Sequence, residues 1–168
     1  MNPNRRLFLA AGGSAAFAGL AALLPGPSGR AQAAAPGPFT VTYSDAEWRG
    51  RLTSAQYRVL RHADTERPYS SPLNDEHRDG TFGCAGCGQA LFSAATKFES
   101  GTGWPSFWQA LPQAIGTTSD SSYGMRRTAV HCARCGGHLG HVFDDGPRPT
   151  GLRYCMNGVA MTFTPAAA

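Results

Sequence analysis

The sequence predicts a mainly β domain, led in by two short helices and stapled by a metal ion. Three observations predict it: two matched C-x-x-C pairs, Cys84/Cys87 and Cys132/Cys135; the loss of helical periodicity from Glu66 onward; and two helix-start signatures confined to the stretch before that point.

The first segment, residues 1–33, reads as an export signal. Adjacent Arg5 and Arg6 precede Leu7-Phe8-Leu9, and an uncharged Ala/Gly-rich run continues to Leu24, followed by Pro25, Pro27 and the small-residue site Ala31-Gln32-Ala33. This is a twin-arginine type signal, which a translocon reads. A permanent membrane anchor is the alternative, since the run approaches bilayer length, but Gly12, Gly13, Ser14 and Gly19 make it weakly hydrophobic. Cleavage is therefore expected, with no lasting anchor, and an exported, periplasmic location. Residues 34–43 form an Ala/Gly/Pro linker and 44–164 the folded domain.

The chain carries fifteen Lys/Arg against eleven Asp/Glu, a formal +4. Three of those cations, Arg5, Arg6 and Arg30, lie in the signal, so the domain is left near +1, and four thiolates around a divalent metal would add negative charge. Nothing in this balance points to nucleic acid.

In the domain, Ser44 with Glu47 and Thr53 with Gln56 form two capping boxes. Trp48 and Leu52 would share one face of the first helix, Tyr57 and Leu60 one face of the second. Strands are expected at residues 89–92, 121–125, 128–131, 140–143, 152–156 and 159–163, each a short run bounded by turn residues.

The two C-x-x-C pairs can each present two thiolates from one tight turn, with Gly88 and Gly136 placed where such turns need positive φ. Cys84, Cys87, Cys132 and Cys135 are thus read as ligands of one structural Zn2+ per chain. Redox-active dithiols or local disulfides are the alternatives, but a catalytic C-x-x-C normally opens a helix in a βαβ unit. Exported proteins favour disulfides over metal thiolates. The twin-arginine route, which carries folded proteins, would allow zinc to be loaded before export.

One of the five cysteines, Cys155, has no partner. On a strand Arg153, Cys155 and Asn157 would share a face, with Leu152, Tyr154 and Met156 turned to the core. Arg153 and the nearby His138 and His141 would favour a reactive thiolate, although a lone cysteine is more often a small buried hydrophobe. The loop Gly101 to Phe107 presents Trp104 and Phe107, which could wall a small apolar group or simply close the core.

Together GTGWPSF, HLGHVFDDGP followed by PTGLRYCMN, the two C-x-x-C pairs and ERPYSSPLND resemble the methionine sulfoxide reductase B family over about residues 44–163. The resemblance implies a pair of antiparallel sheets of the Mss4-like, or β-tent, type with short N-terminal helices. It also implies reduction of peptide-bound methionine-R-sulfoxide. Cys155 would attack the sulfoxide sulfur and become a sulfenic acid, His138 or His141 would supply the proton, and Asn157 would bond the polarised oxygen or a water. Trp104 would hold the substrate methyl, with Phe107 and Arg153 also at the substrate.

Many family members carry a recycling cysteine where this chain has Thr102, so reduction by an external, thioredoxin-like thiol is expected. The expected partners are oxidised peptides and proteins, that reductant, and the twin-arginine translocon during export. A zinc-ribbon-like binding module and a general thiol oxidoreductase working through one C-x-x-C are the competing readings.

Overall fold

The computed structural model describes residues 39–167. The expected export signal and most of the linker lie outside the described residues. Among those described, no helix is long and apolar enough to cross a membrane.

Both helices begin as their sequences dictate. In α1 (Asp45–Arg51) the Ser44 hydroxyl accepts from the Glu47 N–H, and the Glu47 carboxylate accepts from the Ser44 N–H. Thr53 and Gln56 repeat the arrangement at the start of α2 (Ser54–His62). Trp48, Leu52, Tyr57 and Leu60 are buried, so both expected faces point inward.

Among the described residues nine strands follow, all paired antiparallel. β1 (Gly80–Cys84), β2 (Ala90–Ser93) and β9 (Met161–Pro165) make a three-stranded sheet in the order β2-β1-β9. β3 (Lys97–Phe98), β4 (Ser106–Phe107), β5 (Ile115–Asp120), β6 (Arg127–Cys132), β7 (His138–Phe143) and β8 (Arg153–Met156) make a six-stranded sheet in the order β3-β4-β8-β7-β6-β5. Aromatic rings from the two sheets meet in the core. Phe92 of β2 stacks on Phe107 of β4 at 4.4 Å, and Phe82 of β1 meets the same ring edge-on at 4.9 Å.

Several expected strands move. Residues 121–125 are not a strand: Ser122–Gly124 is a 3-10 turn, with Gly124 at φ 70°, that joins β5 to β6. Residues 159–160 belong to a second 3-10 turn, Gly158–Ala160, ahead of β9. Leu152 precedes β8, yet the alternation beyond it holds, with Tyr154 and Met156 buried and Arg153 and Cys155 on the other face.

Candidate active site

The four paired cysteines meet where the two sheets come together, because Cys84 ends β1 and Cys132 ends β6. Their sulfurs all lie within 4.8 Å of one another. Cys84 and Cys135 are 3.7 Å apart, and Cys87 and Cys132 are 3.6 Å apart. That is far beyond a disulfide bond of about 2.05 Å, and close to the edge of a tetrahedron with metal–sulfur bonds of about 2.3 Å.

The two turns are near copies. Gly88 N–H donates to Cys84 O at 2.8 Å and Gly136 N–H to Cys132 O at 2.9 Å, and both glycines have the expected positive φ, 71° and 70°. The sulfurs of Cys132 and Cys135, and then burial, push the Cys84 thiol up. Four thiolates this close repel one another unless a cation lies between them, so the donor set fits a metal ion.

A separate cavity of about 130 Å3 opens beside Cys155. At roughly 30 Å3 per liquid water it has room for the tip of one side chain. Trp104 and Phe143 supply apolar walls, His141 and Arg127 the polar ones, and Thr65, Gly140 and Asn157 complete the lining.

Sheet register assembles it. Cys155 of β8 pairs with Ser106 of β4 on one side and with His141 of β7 on the other, which places the thiol and the imidazole as neighbours on one face. The pairing is intimate at Gly140, where any Cβ would collide with the Cys155 carbonyl.

Trp104 is held by its indole N–H, which donates to Glu66 O at 3.1 Å. Glu66 ties the site together, a role the sequence reading missed. Its N–H donates to Asn157 Oδ1 at 2.9 Å, and its carboxylate accepts from the Gly158 and Val159 N–H groups. Burial raises its pKa against the pull of those two N–H donors. The preceding segment also clamps the Gly-rich loop. Tyr69 N–H and Asn74 Nδ2 both donate to Gly103 O, at 2.7 and 3.1 Å, and Gly103 at φ 90° leaves no room for a Cβ against Pro68 and Tyr69.

Four expected residues lie differently from the sequence expectation. Phe107 does not line the cavity, since Ser106 is in register with Cys155 and alternation turns Phe107 fully into the core. Arg153 does not line the cavity: it forms a bidentate pair with Asp145 at 2.9 and 2.8 Å and lies over the Phe143 ring.

His138 also stands outside the cavity, packed edge-on to His141 at 5.4 Å, with its pKa held down to about 4, first by burial and then by the neighbouring imidazole. Finally, Cys155 is not poised as a thiolate. Burial pushes its pKa up, and the Thr102 hydroxyl, Arg153 and Ser106 only partly counter this.

Asn157 is buried, its amide committed to Glu66 N–H and, through Nδ2 at 3.0 Å, to Leu139 O. It shapes the cavity wall.

Comparison with known proteins decides the family. Residues 52–165 match the SelR domain. The chain belongs to the MsrB family of peptide methionine sulfoxide reductases. It is 52% identical over 123 residues to the peptide methionine sulfoxide reductase MsrB of Thiobacillus denitrificans, covering 73% of this chain and 93% of that protein. The MsrB of Leptospira interrogans is 51% identical over 126 residues, covering 74% of this chain and 96% of the relative. That of Pseudomonas putida is 54% identical over 120 residues, covering 71% and 92%. The two-sheet fold and the four-cysteine cluster are those expected of this family, and neither a zinc-ribbon module nor a general dithiol oxidoreductase is favoured.

Proposed function

We propose that this chain reduces peptide-bound methionine-R-sulfoxide to methionine and so repairs oxidised proteins. The supporting observation is a lone thiol, Cys155, opening into a small cavity walled by Trp104 with an imidazole, His141, in register beside it.

Cys155 sulfur bonds to the sulfoxide sulfur; the sulfoxide S–O bond and the new S–S bond then break as the oxygen bonds to Cys155, leaving a sulfenic acid and free methionine. The methionine sulfur gains the two electrons that the cysteine sulfur loses, and the thiol proton ends on the sulfenic oxygen. His141 handles that proton. Trp104 receives the substrate methyl, and the fixed indole sets which epimer presents its oxygen to His141. Two equivalents of an external thiol, from a thioredoxin-like protein, then return Cys155 to the thiol and release water and a disulfide.

Cys84, Cys87, Cys132 and Cys135 would hold a Zn2+, which supplies structural cross-linking where the sheets meet. Residues 1–33 would direct export by the twin-arginine route to the periplasm, where oxidised proteins would meet the enzyme.

A stereospecific assay tests the reading. With dabsylated methionine sulfoxide and a small dithiol, the R epimer should be consumed and the S epimer left; consumption of neither, or of both at equal rates, would refute it.

A further inference from the structure

The geometry points to a third member of the reaction centre: Asp120, at the end of β5, is a positioning residue that completes a Cys155–His141–Asp120 array laid across the six-stranded sheet. This rests on the proposed role of Cys155 and His141 and adds what fixes the imidazole between them.

Asp120 Oδ2 accepts from His141 Nε2 at 2.8 Å and from Arg127 Nη2 at 2.7 Å, while Oδ1 accepts the Ser122 N–H at 2.8 Å. Each element has a reason to be there. Asp120 and Arg127 are register partners at the turn end of the β5–β6 hairpin, and the 3-10 turn joining the strands supplies the Ser122 N–H. β6 separates β5 from β7, and its residue in register with His141 is Ala129, whose methyl leaves the imidazole free to reach across. His141 in turn pairs with Cys155. A carboxylate, an imidazole and a thiol thus follow one another over four adjacent strands, in the roles that nucleophile, base and orienting acid take in unrelated hydrolases.

The consequence lies in the tautomer. An ionised carboxylate only accepts hydrogen bonds, so the ring nitrogen facing it must carry hydrogen, and the neutral ring keeps its lone pair on Nδ1. The backbone N–H and hydroxyl of Ser122, then His141, hold Asp120 well below the usual carboxylate range, so it stays an anion. Because burial keeps Cys155 protonated at rest, the reaction needs a base before it needs an acid. Nδ1 of His141 takes the thiol proton as the sulfur–sulfur bond forms, Asp120 stabilises the imidazolium, and the ring returns the proton to the transferring oxygen. No proton or electron is left over. His138, beside this ring, is kept neutral by burial and does not compete.

The charged and titratable groups around His141 are His138 on β7, Asp120 on β5, Arg127 on β6, and Cys155 and Arg153 on β8. Of these only Asp120 brings a fixed negative charge into hydrogen-bond contact with the ring.

The test combines spectroscopy with kinetics on the full chain. Imidazole nitrogen shifts of 15N-labelled protein should show His141 as the Nε2–H tautomer; an Nδ1–H tautomer overturns the proposal without any variant. In Asp120→Asn, single-turnover methionine formation without reductant should slow by about tenfold or more with KM little changed. Asp120→Glu should recover part of the rate. An Asp120→Asn protein of unaltered single-turnover rate overturns the inference while leaving the proposed function standing, provided Cys155→Ser is inactive. An active Cys155→Ser would instead remove the reading on which the inference rests.

Discussion

Thr102 Oγ1 lies 3.8 Å from Cys155 Sγ, so the Gly-rich loop brings a hydroxyl against the lone thiol. Thr102 stands where the family resemblance leads one to expect a recycling cysteine, and its distance from Cys155 would suit one. A sulfur there would face the oxidised Cys155 without rearrangement of the sheet. In this chain the hydroxyl cannot form a disulfide, so on the proposed mechanism an oxidised Cys155 would wait for an external thiol.

Thr102→Cys should therefore change the fate of the oxidised enzyme. After one equivalent of sulfoxide without reductant, the wild-type chain should give a dimedone adduct at Cys155. The variant should instead join its introduced thiol to Cys155 in a disulfide and give little adduct, as read by peptide mass mapping. A wild-type chain that forms a disulfide from Cys155 to one of the other four cysteines would contradict the division between metal ligands and reactive thiol.

Cys84→Ser should lose both the bound metal and the cooperative unfolding transition, whereas Cys155→Ser should keep close to one metal ion per chain and melt as the wild type does. Elemental analysis with calorimetry separates the two. Cys84 and Cys132 end strands of different sheets, so a metal ion bound there would hold those sheets together at that corner.

Phe107→Ala should behave as a core lesion. With the ring fully buried between Phe82 and Phe92, its loss should cost about 3–5 kcal/mol in urea unfolding. KM for the sulfoxide should change less than in Trp104→Ala, whose indole lines the cavity.

His138 makes stability fall on acidification. Its pKa is lowered to about 4 in the folded chain, from an ordinary value of about 6.5. Between these values the unfolded chain binds the extra proton, so stability is complete above about pH 6.5 and declines as pH falls toward about 4. The full contribution is about 3 kcal/mol. Unfolding midpoints measured from pH 7 to 4.5 should fall more steeply in wild type than in His138→Gln, and parallel curves would count against burial as the cause.

Much of this was legible in the sequence, for reasons that can be named. The C-x-x-C spacing with a following glycine specifies a turn that presents two sulfurs, and both turns form as expected. The capping boxes are local hydrogen-bond patterns and were equally readable. Alternation in Arg153-Tyr154-Cys155-Met156 placed the thiol opposite the core side chains.

What was hidden depends on partners far along the chain. β5, Ile115–Asp120, is a Thr/Ser-rich strand at the sheet edge with no hydrophobic alternation, so neither the strand nor Asp120 stood out. Trp104 and Phe107 look alike in the loop sequence. Only the pairing of Ser106 with Cys155 decides that Phe107 faces the core. Glu66 organises Trp104 and Asn157 through contacts spanning 38 and 91 residues, which no local pattern encodes.

The central claim is that Cys155 alone carries the oxygen from substrate to reductant. A single turnover of the R-sulfoxide, without reductant, tests it most directly. The account predicts one methionine released per wild-type chain with dimedone labelling at Cys155, and no methionine from Cys155→Ser at unchanged metal content. Methionine from the Cys155→Ser chain, or label on any of the four metal-site cysteines in the wild type, would contradict it.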